Sequence, residues 1–236
     1  MPIIIEWKVT NNMNLCILFA MIDEAQPLIY KLNPSLIIEK PFLVFKKNNI
    51  IIAISGIGIS NASSCFTYID GKFNPEIYIN AGLAGCISDE NNVLDVVLVD
   101  KAFYSSANTT GFGYEYGQIP KMPAFYTSDQ SLSKKISQIK NFKKLNIATS
   151  DIFINNSEAV NTLIKPIKTK IEIVDMECCA FFQSAYLFNK PILAIKIISD
   201  VLTKKSNENQ FNEILNKASN KISEVIYAFL KSFNVV

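Results

Sequence analysis

Apolar residues cluster along the chain in eight runs of strand length, and few polar residues interrupt them. Strands that are covered on both faces of a sheet show this pattern. The pattern therefore predicts strands at residues 15–22, 42–46, 50–57, 76–83, 93–104, 145–151, 171–176 and 192–200.

Helix-like segments lie between several of these runs and after the last one, and we predict helices at residues 23–32, 59–71, 177–188 and 206–234. This alternation is typical of α/β proteins, so we expect a mainly parallel sheet with helices on both sides. We predict a single domain over residues 1–236, with residues 1–13 as an N-terminal extension. Residues 105–128 form the longest irregular segment, and a loop of that length is usually functional or at an interface.

The composition is that of an ordered globular protein, because 49% of the residues are hydrophobic and 19% are charged. The net charge of +2 gives no reason to expect nucleic acid or a membrane surface as a partner. The first residues lack the basic start and apolar core of a signal peptide, and no apolar run approaches the ~18 residues of a membrane span. Five cysteines without a C-x-x-C pair indicate reduced thiols in the cytoplasm.

The chain contains neither histidine nor arginine, which restricts its possible chemistry. Without histidine, Ser-His-Asp catalysis, histidine general bases and histidine-ligated metal sites are excluded. Without arginine, no guanidinium group can bind phosphate through two parallel hydrogen bonds. Proton transfer must therefore rest on Asp, Glu, Lys, Tyr, Cys or water.

Several predicted strands end in polar or glycine-rich residues. These ends are MIDE (21–24), SGIG (55–58), NAGLAG (80–85), SDIFIN (150–155), DME (175–177) and ISD (198–200). In α/β sheets ligands bind at the carboxyl ends of the strands, so we expect a small-molecule pocket that contains carboxylates. The two glycine-rich segments are either turns or points where the backbone approaches a ligand closely.

Each acidic residue at these strand ends has a structural and a catalytic interpretation. Glu24 could begin a helix, and Asp175 and Glu177 could complement a helix dipole. Asp200 could cap the helix that follows it. As catalytic groups, the same residues would supply the acid and base that a chain without histidine needs. These residues alone leave both interpretations open.

Taken in order and spacing, SGIG, INAGLAG, FGYEYGQIP (112–120), SDIFIN, VDMECCA and IISD resemble the 5′-methylthioadenosine/S-adenosylhomocysteine nucleosidases. These enzymes belong to the nucleoside phosphorylase superfamily, and the resemblance extends from about Leu15 to Val236. It implies a three-layer α/β/α sandwich around a twisted, mixed, partly barrel-like sheet. It further implies a homodimer in methionine salvage that hydrolyses the N-glycosidic bond of an adenine thionucleoside without metal or cofactor.

The resemblance also implies roles for individual residues. Asp200, oriented by Ser199, matches the general acid that protonates adenine N7, and Glu24 matches the carboxylate that activates the attacking water. The remaining matched positions would bind substrate. Glu177 would bind the ribose hydroxyls, Met176 would pack on the sugar, and Phe153 and Ile154 would bind the adenine. Ile57 would contact the ribose and the 5′ tail, Asp175 would belong to the same binding site, and Phe112 and Pro120 would cover the 5′ group in the neighbouring subunit.

The chain departs from the family at several positions. Phe19 replaces a glycine, Leu83 a small hydroxyl residue and Asp175 a glutamate, while Ser105 and Asn108 stand where a histidine and an aspartate often occur. We expect Phe19 and Leu83 to make the pocket bulkier and drier, which would suit another adenine nucleoside such as 5′-deoxyadenosine or aminodeoxyfutalosine. A nucleoside-binding protein without catalysis is a further alternative.

A purine nucleoside phosphorylase is the remaining alternative, because Lys196 stands where relatives have an arginine and a lysine could hold phosphate. The absence of arginine favours water as the nucleophile.

Overall fold

The computed structural model describes residues 13–202 and 208–236, with only the backbone described for residues 208–213. The predicted extension at residues 1–13 thus lies outside the described residues except for Met13, which is buried. The predicted start of the last helix near residue 206 also lies outside them. None of the helices in the described ranges is long and apolar enough to cross a membrane.

Ten strands within the described residues form one sheet. They are β1 (Leu15–Phe19), β2 (Ser35–Ile38), β3 (Leu43–Lys47), β4 (Ile50–Ile54), β5 (Ile77–Cys86), β6 (Val96–Tyr104), β7 (Tyr126–Thr127), β8 (Lys143–Thr149), β9 (Ile173–Asp175) and β10 (Ile192–Val201). All eight predicted strands are present with shifted ends, and β2 and β7 are additional. The segment NAGLAG belongs to β5, so its interpretation as a turn is wrong.

Five strands close into a barrel-like ring in the order β10–β6–β8–β9–β5, and a pairing of β5 with β10 completes it. From β5 an open sheet continues through β1, β4, β3 and β2. Parallel pairs join β1 with β4 and β5, β5 with β10, and β8 with β6 and β9, while the other pairs are antiparallel. The sheet is therefore mixed, and the expectation of a mainly parallel sheet is wrong because hairpins join some neighbouring strands.

Helices cover both faces of the sheet, which gives the three-layer α/β/α arrangement. The helices of the described residues are α1 (Ile22–Leu32), α2 (Ile59–Phe73), α3 (Gln130–Ser137), α4 (Ser157–Ala159, followed by a π-helical turn at Val160–Ile164), α5 (Cys178–Leu187) and α6 (Glu208–Lys231). One hydrophobic cluster includes residues of α2 and α5, and a second includes residues of α1, α3 and α6.

Strand β4 shows why the apolar runs are uninterrupted. Ile51 and Ala53 pack into the cluster beneath α2 and α5, whereas Ile50, Ile52 and Ile54 pack into the cluster on the opposite face. Successive side chains of a strand point to opposite faces, so a strand covered on both faces needs apolar residues at every position.

The long segment at residues 105–128 is irregular apart from a 3₁₀ turn at Thr110–Phe112 and the short strand β7.

Candidate active site

A cavity of about 200 Å³ opens where the carboxyl ends of β1, β4, β5, β8, β9 and β10 meet. This is the edge of the sheet at which the sequence predicts a pocket. The cavity is lined by Ala20, Met21, Glu24, Ile57, Leu83, Ala84, Gly85, Ile152, Phe153, Ile154, Val174, Asp175, Met176, Glu177, Ser199 and Asp200.

Asp200 lies within β10 at a break in the register between β10 and β5. The Ser199 hydroxyl donates to Asp200 Oδ1 over 2.6 Å, which fixes the orientation of the carboxyl group. Because Asp200 is part of the strand and not of the start of α6, the helix-cap interpretation is wrong. Its carboxyl group is half-buried and faces the cavity.

Glu24 is buried in the first turn of α1 and faces the cavity from the side of β1. The Leu83 N–H donates to Glu24 Oε1 over 2.8 Å, and the Met21 N–H donates to Oε2 over 3.2 Å. A Cβ atom on Gly82 would lie 2.8 Å from Glu24 Oε1, so the glycine permits this close approach. Burial raises the pKa of Glu24, while the Leu83 N–H and the Lys196 charge oppose that rise.

Glu24 therefore stabilises the start of α1 and lines the cavity at the same time. The structural and catalytic interpretations of this residue are compatible, because one oxygen accepts from the helix start and the other from β5.

Glu177 immediately precedes α5 and is also buried. The Gly58 N–H, at the start of α2, donates to Glu177 Oε1 over 2.9 Å. Gly58 has φ +105°, which disfavours other residues, and a Cβ atom there would lie 2.9 Å from Asp151 Oδ1. Burial, and next the Asp175 charge, raise the pKa of Glu177 to about 7. A carboxyl group with a raised pKa thus lines the cavity at Glu177.

Asp175 lines the cavity, but its carboxylate is occupied by protein groups. The Cys178 N–H donates to Asp175 Oδ2 over 3.0 Å, so Asp175 caps the start of α5 as the helix-dipole interpretation expects. Lys196 Nζ lies 2.8 Å from the same oxygen. Lys196 is buried and is not among the residues that line the cavity, so it is not placed to hold phosphate there.

The segment that follows β8 forms the apolar side of the cavity. Phe153 is 65% exposed, and Ile154 is buried in a cluster with residues of β6 and β9. Ile57 and Met176 complete this wall from the loops after β4 and β9. The cavity therefore combines an exposed aromatic surface with three facing carboxyl groups, those of Glu24, Glu177 and Asp200.

Phe112 and Pro120 do not line the cavity of their own chain. Phe112 is 85% exposed in the 3₁₀ turn after β6. These are the two predicted site residues that the fold leaves apart from the others.

Two departures from the family have different consequences. Leu83 lines the cavity beside Glu24, as expected. The expectation for Phe19 is wrong, because its side chain is fully buried in the core with residues of α1 and does not reach the cavity. Ser105 is buried as well, and its hydroxyl donates to the Thr149 carbonyl.

The sequence analysis assigns no individual role to six residues of the cavity wall: Ala20, Met21, Ala84, Gly85, Ile152 and Val174. Four of them, Met21, Ala84, Gly85 and Ile152, belong to the strand ends at which the sequence predicts the pocket, and Ala20 and Val174 adjoin such ends. Within the described residues, no group of three or more Asp, Glu or Cys side chains is arranged to hold a metal ion.

The chain matches the Phosphorylase superfamily over residues 15–231. It is 36% identical over 226 residues to a 5′-methylthioadenosine/S-adenosylhomocysteine nucleosidase of Staphylococcus epidermidis, and the match covers 92% of this chain and 98% of that protein.

Two solved structures of similar fold hold inhibitors. The nucleosidase from S. pneumoniae with a transition-state inhibitor, MT-ImmA, has a TM-score of 0.83 and 27% identity, covering 93% of this chain and 99% of that chain. The nucleosidase from Neisseria meningitidis in complex with methylthio-immucillin-A has a TM-score of 0.84 and 25% identity, covering 92% and 98%.

Proposed function

Because the chain belongs to the 5′-methylthioadenosine/S-adenosylhomocysteine nucleosidases of the phosphorylase superfamily, we propose that it hydrolyses the N-glycosidic bond of these adenine thionucleosides. The observation that carries the proposal is the cavity in which Glu24, Glu177 and Asp200 face one apolar wall. The products are adenine and the 5′-substituted ribose.

Departure of the base needs an acid, because adenine leaves poorly as an anion. In our proposal Asp200 gives its proton to adenine N7 while the bond between N9 and C1′ breaks. The Ser199 hydroxyl holds Asp200 Oδ1 during this step. Positive charge develops on the sugar in the transition state, and ionised carboxylates around the cavity stabilise it.

Glu24 takes a proton from the water whose oxygen bonds to C1′. A buried carboxylate of raised pKa is a stronger base than an exposed one, so the environment of Glu24 suits this task. The two backbone N–H donors keep its oxygens in place. The proton lost by Asp200 and the proton gained by Glu24 balance, so solvent restores both groups for the next turnover.

The other cavity residues bind the substrate. We propose that Glu177 accepts hydrogen bonds from the ribose hydroxyls, that Met176 packs on the sugar, and that Phe153 stacks on adenine while the Ile154 backbone binds the base edge. Ile57 and Leu83 contribute apolar surface. Asp175 acts indirectly, since its oxygens are occupied by Thr149, Cys178 and Lys196.

The nucleophile is water and not phosphate in this proposal. A phosphate dianion beside Glu24 would meet a buried carboxylate, and Lys196 is held by Asp175 outside the cavity wall. We predict that adenine is released from 5′-methylthioadenosine at the same rate with and without phosphate. A phosphate-free chromatographic assay on a panel that includes 5′-deoxyadenosine and aminodeoxyfutalosine tests this.

Release that requires phosphate and yields ribose 1-phosphate would contradict hydrolysis. Tight binding of an adenosine analogue without adenine release would indicate a binding protein instead.

We further propose that the described residues act as one domain and that two copies form a homodimer. In that dimer Phe112 and Pro120 cover the 5′ group in the neighbouring cavity, which accounts for an aromatic side chain that is 85% exposed in a single chain.

We also propose a cytoplasmic location, which is consistent with five buried, free cysteines. A role in methionine salvage is part of the same proposal.

For the dimer we predict that Phe112→Ala raises the KM for 5′-methylthioadenosine at least tenfold, because removal of one buried aromatic contact costs about 1.5–3 kcal/mol. The change in kcat should be smaller. Tyr30→Ala is the matched control, since Tyr30 is 78% exposed and does not line the cavity. Sedimentation gives the oligomeric state, and a monomer with full activity would contradict the proposal.

A further inference from the structure

The most deeply buried ion pair among the described residues adjoins the cavity, because Asp175 lines it and Lys196 lies behind Asp175. Lys196 Nζ is 2.8 Å from Asp175 Oδ2, and the two side chains are 2% and 3% exposed. Burying a lone charge is costly, so each of these groups depends on the other. The pair also links two elements of the cavity, because Lys196 belongs to β10, which carries Ser199 and Asp200, and Asp175 ends β9.

Asp175 in turn fixes the turn between β9 and α5. The Thr149 hydroxyl donates to Asp175 Oδ1 over 2.6 Å, and the Cys178 N–H donates to Oδ2 over 3.0 Å. The Cys179 N–H donates to Thr149 Oγ1 over 3.0 Å. Both carboxylate oxygens of Asp175 thus hold the start of α5, Oδ2 directly and Oδ1 through Thr149, and Glu177 is the residue immediately before that helix.

We propose that Lys196 is a positioning residue: its ion pair with Asp175 fixes the β9–α5 turn that presents Glu177, and Asp175 offsets the lysine charge beside that carboxyl group. This inference rests on the proposed function, since it assigns a supporting role in the same cavity. Lys196 acts through Asp175 and does not touch the substrate.

The charges around Glu177 explain why the Lys196–Asp175 pair matters for the cavity. The groups near Glu177 come from several elements: Asp175 on β9, Lys196 on β10, Glu24 on α1 and the Gly58 N–H at the start of α2. Asp151 and Asp200 lie at nearby strand ends. Asp175 raises the pKa of Glu177 and Lys196 lowers it. Without Asp175, its carboxylate would no longer offset the charge of Lys196 at Glu177.

The decisive experiment is a carbon-13 NMR titration of the Glu177 carboxyl group in the full chain, assigned with Glu177→Gln. Wild type should titrate near its raised pKa of about 7. In Asp175→Asn the midpoint should fall by about one pH unit or more, because a repelling charge is lost and an attracting charge is freed. In the double variant Asp175→Asn/Lys196→Met the midpoint should return toward the wild-type value.

The double variant separates this effect from loss of structure. Local unfolding would expose Glu177 and lower its midpoint in both variants, whereas the charge mechanism restores it in the double variant. Lys190→Met is the matched control. Lys190 Nζ lies 3.4 Å from Asp70 Oδ1, and neither residue lines the cavity, so loss of this pair should leave the Glu177 midpoint unchanged.

Activity gives an independent measurement. The double variant should still fold, with a melting temperature only modestly below wild type. Replacing both members of a buried pair is tolerated better than removing one, although the introduced amide loses one hydrogen bond, from Thr149 or from Cys178. The kcat/KM of the double variant for adenine release should fall at least tenfold. The single variant Lys196→Arg, which keeps a cation beside Asp175, should retain most of the wild-type kcat/KM.

An unchanged Glu177 midpoint in Asp175→Asn, or full kcat/KM in the double variant, would overturn the inference. The titration needs no turnover, so a wild-type protein that releases no adenine would refute the proposed function while the titration still tests the role of Lys196.

Discussion

The Asp200→Asn variant is expected to fold normally and to release adenine about 10³-fold more slowly than wild type, since general acid catalysis contributes roughly 10²–10⁴-fold. The amide has the shape of the carboxyl group but cannot give a proton to adenine N7. The Ser199 hydroxyl can still donate to the oxygen of the introduced amide, so β10 should keep its geometry. Single-turnover adenine release and the melting temperature measure the two effects separately.

Ser199→Ala is the matched control for this variant. It leaves the acid in place and removes the group that orients it, so we expect a smaller loss, of about tenfold, consistent with one hydrogen bond of about 1–1.5 kcal/mol. A wild-type rate in Asp200→Asn would refute the role of Asp200, whereas equal losses in both variants would point to geometry and not to proton transfer.

The Glu24→Gln variant should have the second-largest effect, a loss of about 10²–10³-fold in kcat with little change in KM. Glutamine cannot take the proton from the attacking water. It also places an NH₂ group against one of the two backbone donors, Met21 N–H or Leu83 N–H, so one of these two hydrogen bonds is lost. The accompanying fall in the free energy of unfolding should be about 1–3 kcal/mol, measured by urea denaturation.

Asp23→Asn provides the control for Glu24, because Asp23 is the adjacent acid in the same helical turn but is exposed and outside the cavity lining. It should retain full activity. If Glu24→Gln retained full activity as well, the water would have to be activated by another group, and the assignment of Glu24 would be wrong.

The location of the strands follows from local sequence, whereas their arrangement does not. A run such as IIIAI at Ile50–Ile54 is apolar at every position because both faces of β4 are covered, and this is visible in the sequence. The pairing of β5 with β10 brings Tyr78 beside Ile192, and nothing in either run specifies a partner so far along the chain. Strand β2 was missed because its SLII segment is short and largely exposed.

The carboxylates of the candidate site could be predicted because strand ends meet at one edge of the sheet. Their surroundings could not. In the sequence, Lys196 interrupts an apolar run and suggests a residue that could bind an anion. In the structure, it is buried and paired with Asp175. In the sequence, Phe19 suggests an obstruction beside Glu24. In the structure, the alternation of side chains along β1 points Phe19 into the core, where it packs in the cluster with residues of α1.

The ring of five strands has a consequence for the order in which the protein assembles. Strand β10 is the last strand along the described chain, and it lies between β5 and β6, which are much earlier. Until β10 is synthesised and inserted, β5 and β6 each lack a neighbour, and unpaired strand edges favour aggregation. Asp200 arrives on that same strand. In the proposed mechanism, a nascent chain therefore gains its general acid in the step that pairs the free edges of β5 and β6, and a chain that has not closed the ring does not have that acid in place.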